Sequence, residues 1–311
     1  MSFALLYRSG SPYGDRWKSG LERLVSGLDF RAYPDIGKVE DIKVALVWNP
    51  PHGLLASLPN LGLIVSLGAG VDHILNDASV PQEVPIVRLV DPHMIGQMSE
   101  YVLMQVLRLH RQDLAYAAQQ REIVWRELPQ RATAECRVGI LGLGQYGTDA
   151  ALKLRAHGFD VAGWSRRPKA IEGVRCFDGA TGFAEMLART DILVCLLPLT
   201  AETTGILDAK AFALLPQGAS IVNVGRGSHL VEADLLAALD SGHLGGAVLD
   251  VVREEPLPPE HPIWRHPRII LTPHIAAVTN PPTAVAIVAD HINRLREGRE
   301  LQHVVDRQRR Y

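Results

Sequence analysis

Val138-Gly139-Ile140-Leu141-Gly142-Leu143-Gly144-Gln145-Tyr146-Gly147 is an apolar run that leads directly into three glycines spaced G-x-G-x-x-G. Residues 138–141 read as a buried strand. Residues 148–157 have a helical pattern that stops at Gly158, a residue suited to the left-handed end of a helix. Each glycine has a separate task in such a unit. Gly142 permits the tight turn, Gly144 lets backbone approach a pyrophosphate, and Gly147 lets helix and strand pack closely. The helix start, at Gln145, Tyr146 and Gly147, offers N–H groups and partial positive charge to phosphate. Among 27 glycines the spacing alone is weak. Strand, turn, helix and a second strand at 161–164, in that order, make it the dinucleotide-binding turn of a Rossmann domain.

The second strand selects the dinucleotide. An Asp or Glu at its end would bind the ribose 2′-hydroxyl and repel a 2′-phosphate. Gly163-Trp164-Ser165-Arg166-Arg167-Pro168-Lys169 instead puts Ser165 there, followed by two guanidinium groups shaped for phosphate. Repulsion is removed and attraction added at one point. The expected cofactor is therefore NADP, used as NADPH, with NAD as the alternative. A solvated basic loop is the plainer reading of the same residues.

Outward from this unit, short apolar runs alternate with helical patterns along the whole chain. The expected fold is α/β, with two Rossmann-like domains built on parallel sheets. Strands are expected at 4–7, 44–47, 63–67 and 86–88, then at 192–196, 221–224, 247–251 and 269–272. These runs are continuously apolar, as in strands buried on both faces. Residues 98–120 read as one long helix without Gly or Pro, able to cross between domains. A last helix follows Pro281-Pro282, over 283–296. The substrate domain is expected to be discontinuous, at 1–97 and 279–311, with the dinucleotide-binding domain inserted at 98–278.

Thirty-two basic and 34 acidic residues leave a net charge of −2, which argues against a nucleic-acid or anionic-membrane partner. Arg307, Arg309 and Arg310 form the one dense basic cluster and read as a solvated tail. Cys136, Cys176 and Cys195 match neither a disulfide framework nor a zinc site, and read as buried thiols of a reducing cytoplasm. The histidines lack ligand spacing, so no metal site is expected. The N-terminal apolar run is too short for a signal peptide, and no stretch approaches a membrane span. A cytoplasmic location is expected.

Three further strands end in residues that can do chemistry. Arg226 follows one, in Asn223-Val224-Gly225-Arg226-Gly227. Glu255 follows the next, in Asp250-Val251-Val252-Arg253-Glu254-Glu255-Pro256. His274 follows the last, in Thr272-Pro273-His274. Ligands of open α/β sheets bind beyond the carboxyl ends of strands, so all three would converge on the nicotinamide end of the cofactor. Leu197, Pro198, Val224 and Asp250, at or just beyond the carboxyl ends of strands, are expected along the cofactor. Taken singly, each of the trio has a plain reading: a structural histidine, a surface acid, a salt-bridge arginine.

The glycine turn, Val224-Gly225-Arg226-Gly227, Glu255-Pro256 and Pro273-His274 together resemble the D-isomer-specific 2-hydroxyacid dehydrogenases. Trp48-Asn49-Pro50-Pro51, Leu67-Gly68-Ala69-Gly70-Val71-Asp72, residues 232–242 and Trp264-Arg265-His266-Pro267-Arg268 resemble a bacterial branch of that family acting on glyoxylate and hydroxypyruvate. The likeness covers essentially the whole chain. It implies reduction of a short 2-keto acid, with His274 donating the proton. An unperturbed histidine pKa of about 6.5 suits that task. Glu255 would hold the other ring nitrogen, and Arg226 would grip the keto acid. Pro256 favours Glu255 over its neighbour Glu254.

The resemblance gives Ala69 and Gly70 the substrate carboxylate, through backbone N–H groups, although a bare glycine turn is the alternative. Trp48 falls in the branch's substrate loop, or else it is a core tryptophan. The matching Asp250 contacts the nicotinamide carboxamide in the family. A homodimer is a family expectation, through the helix after Met98. Two other readings stay open: an NADH-preferring enzyme for a bulkier 2-keto acid, and a dinucleotide-sensing corepressor that binds peptides. A formate dehydrogenase would carry Gln where Pro273 stands.

Overall fold

The computed structural model describes residues 14–310. They fall into two compact units, one running to Met94 and resuming at Val278, the other spanning Ile95–Ala277. The expected strand at 4–7 lies outside the described residues.

The first unit opens with α1 (Gly14–Leu24), followed by β1 (Val44–Val47), β2 (Leu63–Ser66), α2 (Asp72–Leu75) and β3 (Ile86–Arg88). The strands pair in parallel in the order β1-β2-β3. All of β1 and β2 is buried, which explains why they read as unbroken apolar runs rather than alternating ones.

Helix α3 (Pro92–His110) carries the chain into the second unit. The single helix expected over 98–120 is in fact two. Gln112 adopts φ 62°, and α4 (Asp113–Arg121) starts afresh. Side chains hold the break: Arg108 Nε donates to Asp113 at 2.7 Å and Gln112 Nε2 to the Pro129 carbonyl at 2.6 Å. No glycine or proline marks it in the sequence.

The strands β4 (Arg137–Leu141), β5 (Asp160–Ser165), β6 (Arg175–Asp178), β7 (Ile192–Cys195), β8 (Ala219–Asn223), β9 (Leu244–Leu249) and β10 (Ile269–Leu271) form one parallel sheet among the described residues. Its order is β10-β9-β8-β7-β4-β5-β6, so the chain reverses direction across the sheet beside β4. Strand β6 was not expected. It is a short edge strand with exposed ends, and its Arg-Cys-Phe-Asp sequence lacks the apolar run of its neighbours.

Alternate residues of β7 feed opposite cores. Leu193 and Cys195 pack with α6 (Gly179–Ala188), α7 (Ala209–Leu214) and α8 (Glu232–Asp240) through Met186, Phe212 and Leu235. Ile192 and Val194 join Val102 and Val106 of α3 and Leu154 of α5 (Gln145–Ala156). Helices on both faces make this a doubly wound fold.

Helix α9 (Pro281–Glu297) returns the chain to the first unit, with its prolines in the first turn and Gly298 as its left-handed cap. The segment after it runs along β3, where Val305 N–H donates to Ile86 at 2.8 Å. The terminal arginines are therefore not a solvated tail. Arg307 Nη2 donates to the carbonyls of Pro81 and Val84, Arg310 pairs with Asn76, and Arg309 pairs with Asp306. Cys136 and Cys195 are buried and Cys176 only half-buried; all three are free thiols. No helix among the described residues is long and apolar enough to cross a membrane.

Candidate active site

The glycine turn lies where β4 meets α5, beside the point of chain reversal where α/β sheets bind ligands. Gly142 has φ 100°, and its N–H donates to Trp164 of β5 at 2.9 Å. A side chain on Gly147 would put its Cβ 1.8 Å from the Gly142 carbonyl oxygen, so helix and strand touch backbone to backbone. A Cβ on Gly144 would meet no atom within 4 Å. This open, exposed cradle at the head of a helix fits a dinucleotide pyrophosphate, with exposed Gln145 and half-buried Tyr146 opening the helix.

At the end of β5, Ser165 Oγ donates to the Arg167 carbonyl at 2.8 Å and shapes the basic loop. Arg166 is exposed and pairs with Glu202 at 2.9 Å, while Arg167 is also exposed. Lys169 Nζ reaches back to the Leu143 carbonyl, bringing a third cation to the glycine turn. After β7, Leu197 is buried in the core while Pro198 is exposed. Val224, after β8, is buried.

The turn carrying Arg226 is fixed from within. Buried Asn223 accepts the Gly225 N–H and donates to the Arg226 carbonyl at 3.0 Å. Arg226 Nη1 donates to the Gly225 carbonyl at 2.8 Å. Gly227 brings the next loop alongside, since a Cβ there would lie 1.9 Å from the Val252 carbonyl carbon. Only glycine lets the Arg226 turn and the Val252–Glu255 loop share that space.

Glu255 Oε2 lies 2.8 Å from His274 Nδ1, and Oε1 accepts the Val252 N–H at 3.2 Å. Burial opposes ionisation of this carboxyl. The His274 hydrogen bond and charge, the Val252 amide and the Arg226 charge outweigh burial and hold its pKa below the ordinary glutamate value. Of the two adjacent glutamates, Glu255 is the one bonded to His274.

His274 itself sits at φ 56°, a costly conformation for a residue with a side chain. Asp250, buried at 2% exposure, holds that turn in place. Its carboxylate accepts the Thr272 hydroxyl at 2.6 Å and the N–H groups of Ile275 and Ala276 at 2.9 and 2.8 Å. Its carbonyl accepts the His274 N–H at 2.8 Å. Tyr101 of α3 extends the chain with a 2.5 Å contact to Thr272 Oγ1. Because the Thr272 proton goes to Asp250, Tyr101 is the donor. Tyr101, Thr272, Asn223 and Lys169 were not singled out in the sequence; Asn223, Thr272 and Lys169 lay inside quoted motifs, Tyr101 in none.

In the first unit, Trp48 packs on Gly68, where a Cβ would fall 2.3 Å from the indole, and the ring lies tilted 4.6 Å from His73. Ser66, buried, donates to the Gly70 carbonyl at 2.8 Å and shapes the turn that presents Ala69. Trp48, Ala69 and Gly70 therefore form one group. Arg226, Glu255 and His274 form another, in the second unit.

A nucleotide cradle and an acid–base pair at the strand ends of one parallel sheet define a nicotinamide-dependent oxidoreductase. Residues 103–276 match the family model for the NAD-binding domain of D-isomer specific 2-hydroxyacid dehydrogenases, and the chain belongs to that family. The glyoxylate/hydroxypyruvate reductase A of Serratia proteamaculans is 44% identical over 94% of this chain and 95% of that protein. A D-isomer specific 2-hydroxyacid dehydrogenase of Xanthobacter autotrophicus, solved with NADPH and MES, superposes with TM-score 0.94 at 45% identity and covers both chains fully. The NADPH-dependent glyoxylate/hydroxypyruvate reductase of Sinorhizobium meliloti, solved with NADP and sulfate, gives TM-score 0.92 at 40% identity, over 99% of this chain and 100% of that one.

Proposed function

We propose that the chain reduces short 2-keto acids, glyoxylate and hydroxypyruvate, to 2-hydroxy acids with NADPH. The observation that carries this reading is the Glu255–His274 pair at 2.8 Å beside the Arg226 turn. The bound nicotinamide supplies a hydride to C2 of the keto acid. Glu255 occupies Nδ1 of His274, which orients the ring and makes Nε2 the nitrogen that delivers a proton to the carbonyl oxygen. Arg226 pairs with the substrate carboxylate and polarises the carbonyl, stabilising charge that grows on its oxygen. The carbonyl oxygen stays on C2 and becomes the hydroxyl of the 2-hydroxy acid when it takes the His274 proton.

Gly142, Gly144, Gln145, Tyr146 and Gly147 hold the pyrophosphate, and Ser165, Arg166 and Arg167 hold the 2′-phosphate. Leu197, Pro198, Val224 and Asp250 line the nicotinamide half. Trp48, Ala69 and Gly70 contact the keto acid. Residues 98–278 are the cofactor domain, and 1–97 with 279–311 are the substrate domain. The protein works as a cytoplasmic homodimer. Ile123 and Trp125, 94% and 103% exposed, support a second copy covering the loop after α4.

Arg226→Ala tests the assignment. Keto-acid reduction falls by roughly 10²-fold or more, the scale of losing a group that stabilises the transition-state oxyanion. NADPH still titrates onto the protein. Unchanged turnover refutes the role of Arg226, and loss of NADPH binding refutes the division of labour.

A further inference from the structure

His229 is fully buried, and both of its ring nitrogens are engaged. The Arg226 N–H points at Nδ1 from 3.1 Å. A backbone amide can only donate, so Nδ1 is the bare acceptor nitrogen and Nε2 carries the hydrogen. That hydrogen faces the Pro198 carbonyl at 3.2 Å. The same carbonyl accepts the Thr203 hydroxyl at 2.7 Å, and Thr203 Oγ1 also accepts the Thr200 N–H at 2.8 Å. One face of the ring lies against Gly225, where a Cβ would come within 2.9 Å of Nδ1. The imidazole is thus a neutral rod with one end on the β8 loop and the other on the β7 loop.

The two loops have different duties under the reading proposed above, on which this inference rests. The β8 loop carries Arg226, which grips the keto acid, and the β7 loop carries Pro198, beside the nicotinamide half of the cofactor. We propose that His229 is a positioning residue that sets the substrate-binding Arg226 turn and the cofactor-facing Pro198 loop to a common register. It touches neither ligand. It fixes the distance between the loops that do. Any movement of Pro198 is passed through a rigid, fully bonded ring to the Arg226 backbone.

The two ring nitrogens can be removed separately. In His229→Asn the side-chain oxygen stands where Nδ1 stood and still accepts the Arg226 N–H, but nothing reaches Pro198. In His229→Gln the terminal amide stands where Nε2 stood and still donates to Pro198, but the Arg226 N–H loses its acceptor. We measure NADPH Kd by fluorescence titration, which needs no turnover, then KM and kcat with glyoxylate, and unfolding of each variant.

The expected result is a crossed pattern. H229N raises NADPH Kd about tenfold, with KM for glyoxylate within about twofold of wild type. H229Q does the reverse, with NADPH Kd preserved and kcat/KM for glyoxylate lowered about tenfold; these sizes follow from one hydrogen bond of about 1.4 kcal/mol. Thr203→Val, which loosens only the Pro198 side, follows H229N. The proposal is overturned if H229N and H229Q lose the same parameters equally, or if both match wild type. Failure of both to fold also overturns it, because the role would then be structural. A wild-type protein that binds NADPH but does not reduce glyoxylate indicts the functional reading instead, and the Kd arm still reads the Pro198 half.

Discussion

Adding one methyl group at Gly144 and at Gly147 should give opposite results, although the two positions lie in one turn. A Cβ at Gly144 meets no protein atom within 4 Å, and its φ of −74° is ordinary for alanine. Gly144→Ala therefore leaves the ligand-free protein within about 0.5 kcal/mol of wild type, as for other surface substitutions without a clash. The methyl instead fills space that the pyrophosphate needs. NADPH affinity falls about 10- to 100-fold, or roughly 1.4–2.7 kcal/mol. At Gly147 the Cβ would stand 1.8 Å from the Gly142 oxygen, against ordinary contacts of 3.4 Å or more. Helix α5 must move off β4 by more than an ångström. The cost is about 1–3 kcal/mol or more of overpacking, which lowers Tm by about 2–4 °C per kcal/mol in a unit of this size. Thermal unfolding without ligand and NADPH titration by fluorescence measure the two quantities separately. A Gly144→Ala protein that binds NADPH like wild type would refute the cradle. A Gly147→Ala protein that is fully stable would refute the close packing.

Glu255→Gln keeps an acceptor for His274 but removes the negative charge beside the proton donor. kcat falls by about 10- to 100-fold; an unchanged kcat would show that Glu255 only orients the ring. In wild type the Glu255 pKa is depressed, so its stabilising pairing is complete above the ordinary glutamate value and is lost only as pH falls through the lower folded value. Arg166→Ala raises KM for NADPH about tenfold and leaves NADH kinetics unchanged, because NADH has no 2′-phosphate; equal losses with both cofactors contradict that contact. Burial, helped by the Asp191 carboxylate, pushes the Cys136 thiol up to about 11, and burial pushes Cys195 to about 12. Iodoacetamide near neutral pH accordingly labels Cys176 first in the native protein, and rapid labelling of either buried thiol would show that its core opens.

The glycine turn and the three strand-end residues were legible because each rests on local chain order. A strand must precede the turn, a helix must follow it, and chemistry gathers at the carboxyl ends of parallel strands. What the sequence hid was decided by contacts between distant segments. The break at Gln112 depends on Asp113 and Pro129, and no residue there has a marked preference for a left-handed backbone. The support of His274 by Asp250, Thr272 and Tyr101 joins β9, β10 and α3 across 171 residues of chain. Strand β6 escaped because an edge strand need not be apolar. Arg307 read as solvated because its acceptors, the Pro81 and Val84 carbonyls, are backbone groups that no pattern of side chains announces.

Transfer of a hydride from NADPH to a short 2-keto acid is read out by initial rates of NADPH oxidation with glyoxylate and hydroxypyruvate, with NADH run in parallel. Turnover of both acids is expected, with a higher kcat/KM for NADPH than for NADH. No oxidation of either cofactor would contradict the reductase assignment, and a higher kcat/KM with NADH would contradict the reading of Ser165, Arg166 and Arg167.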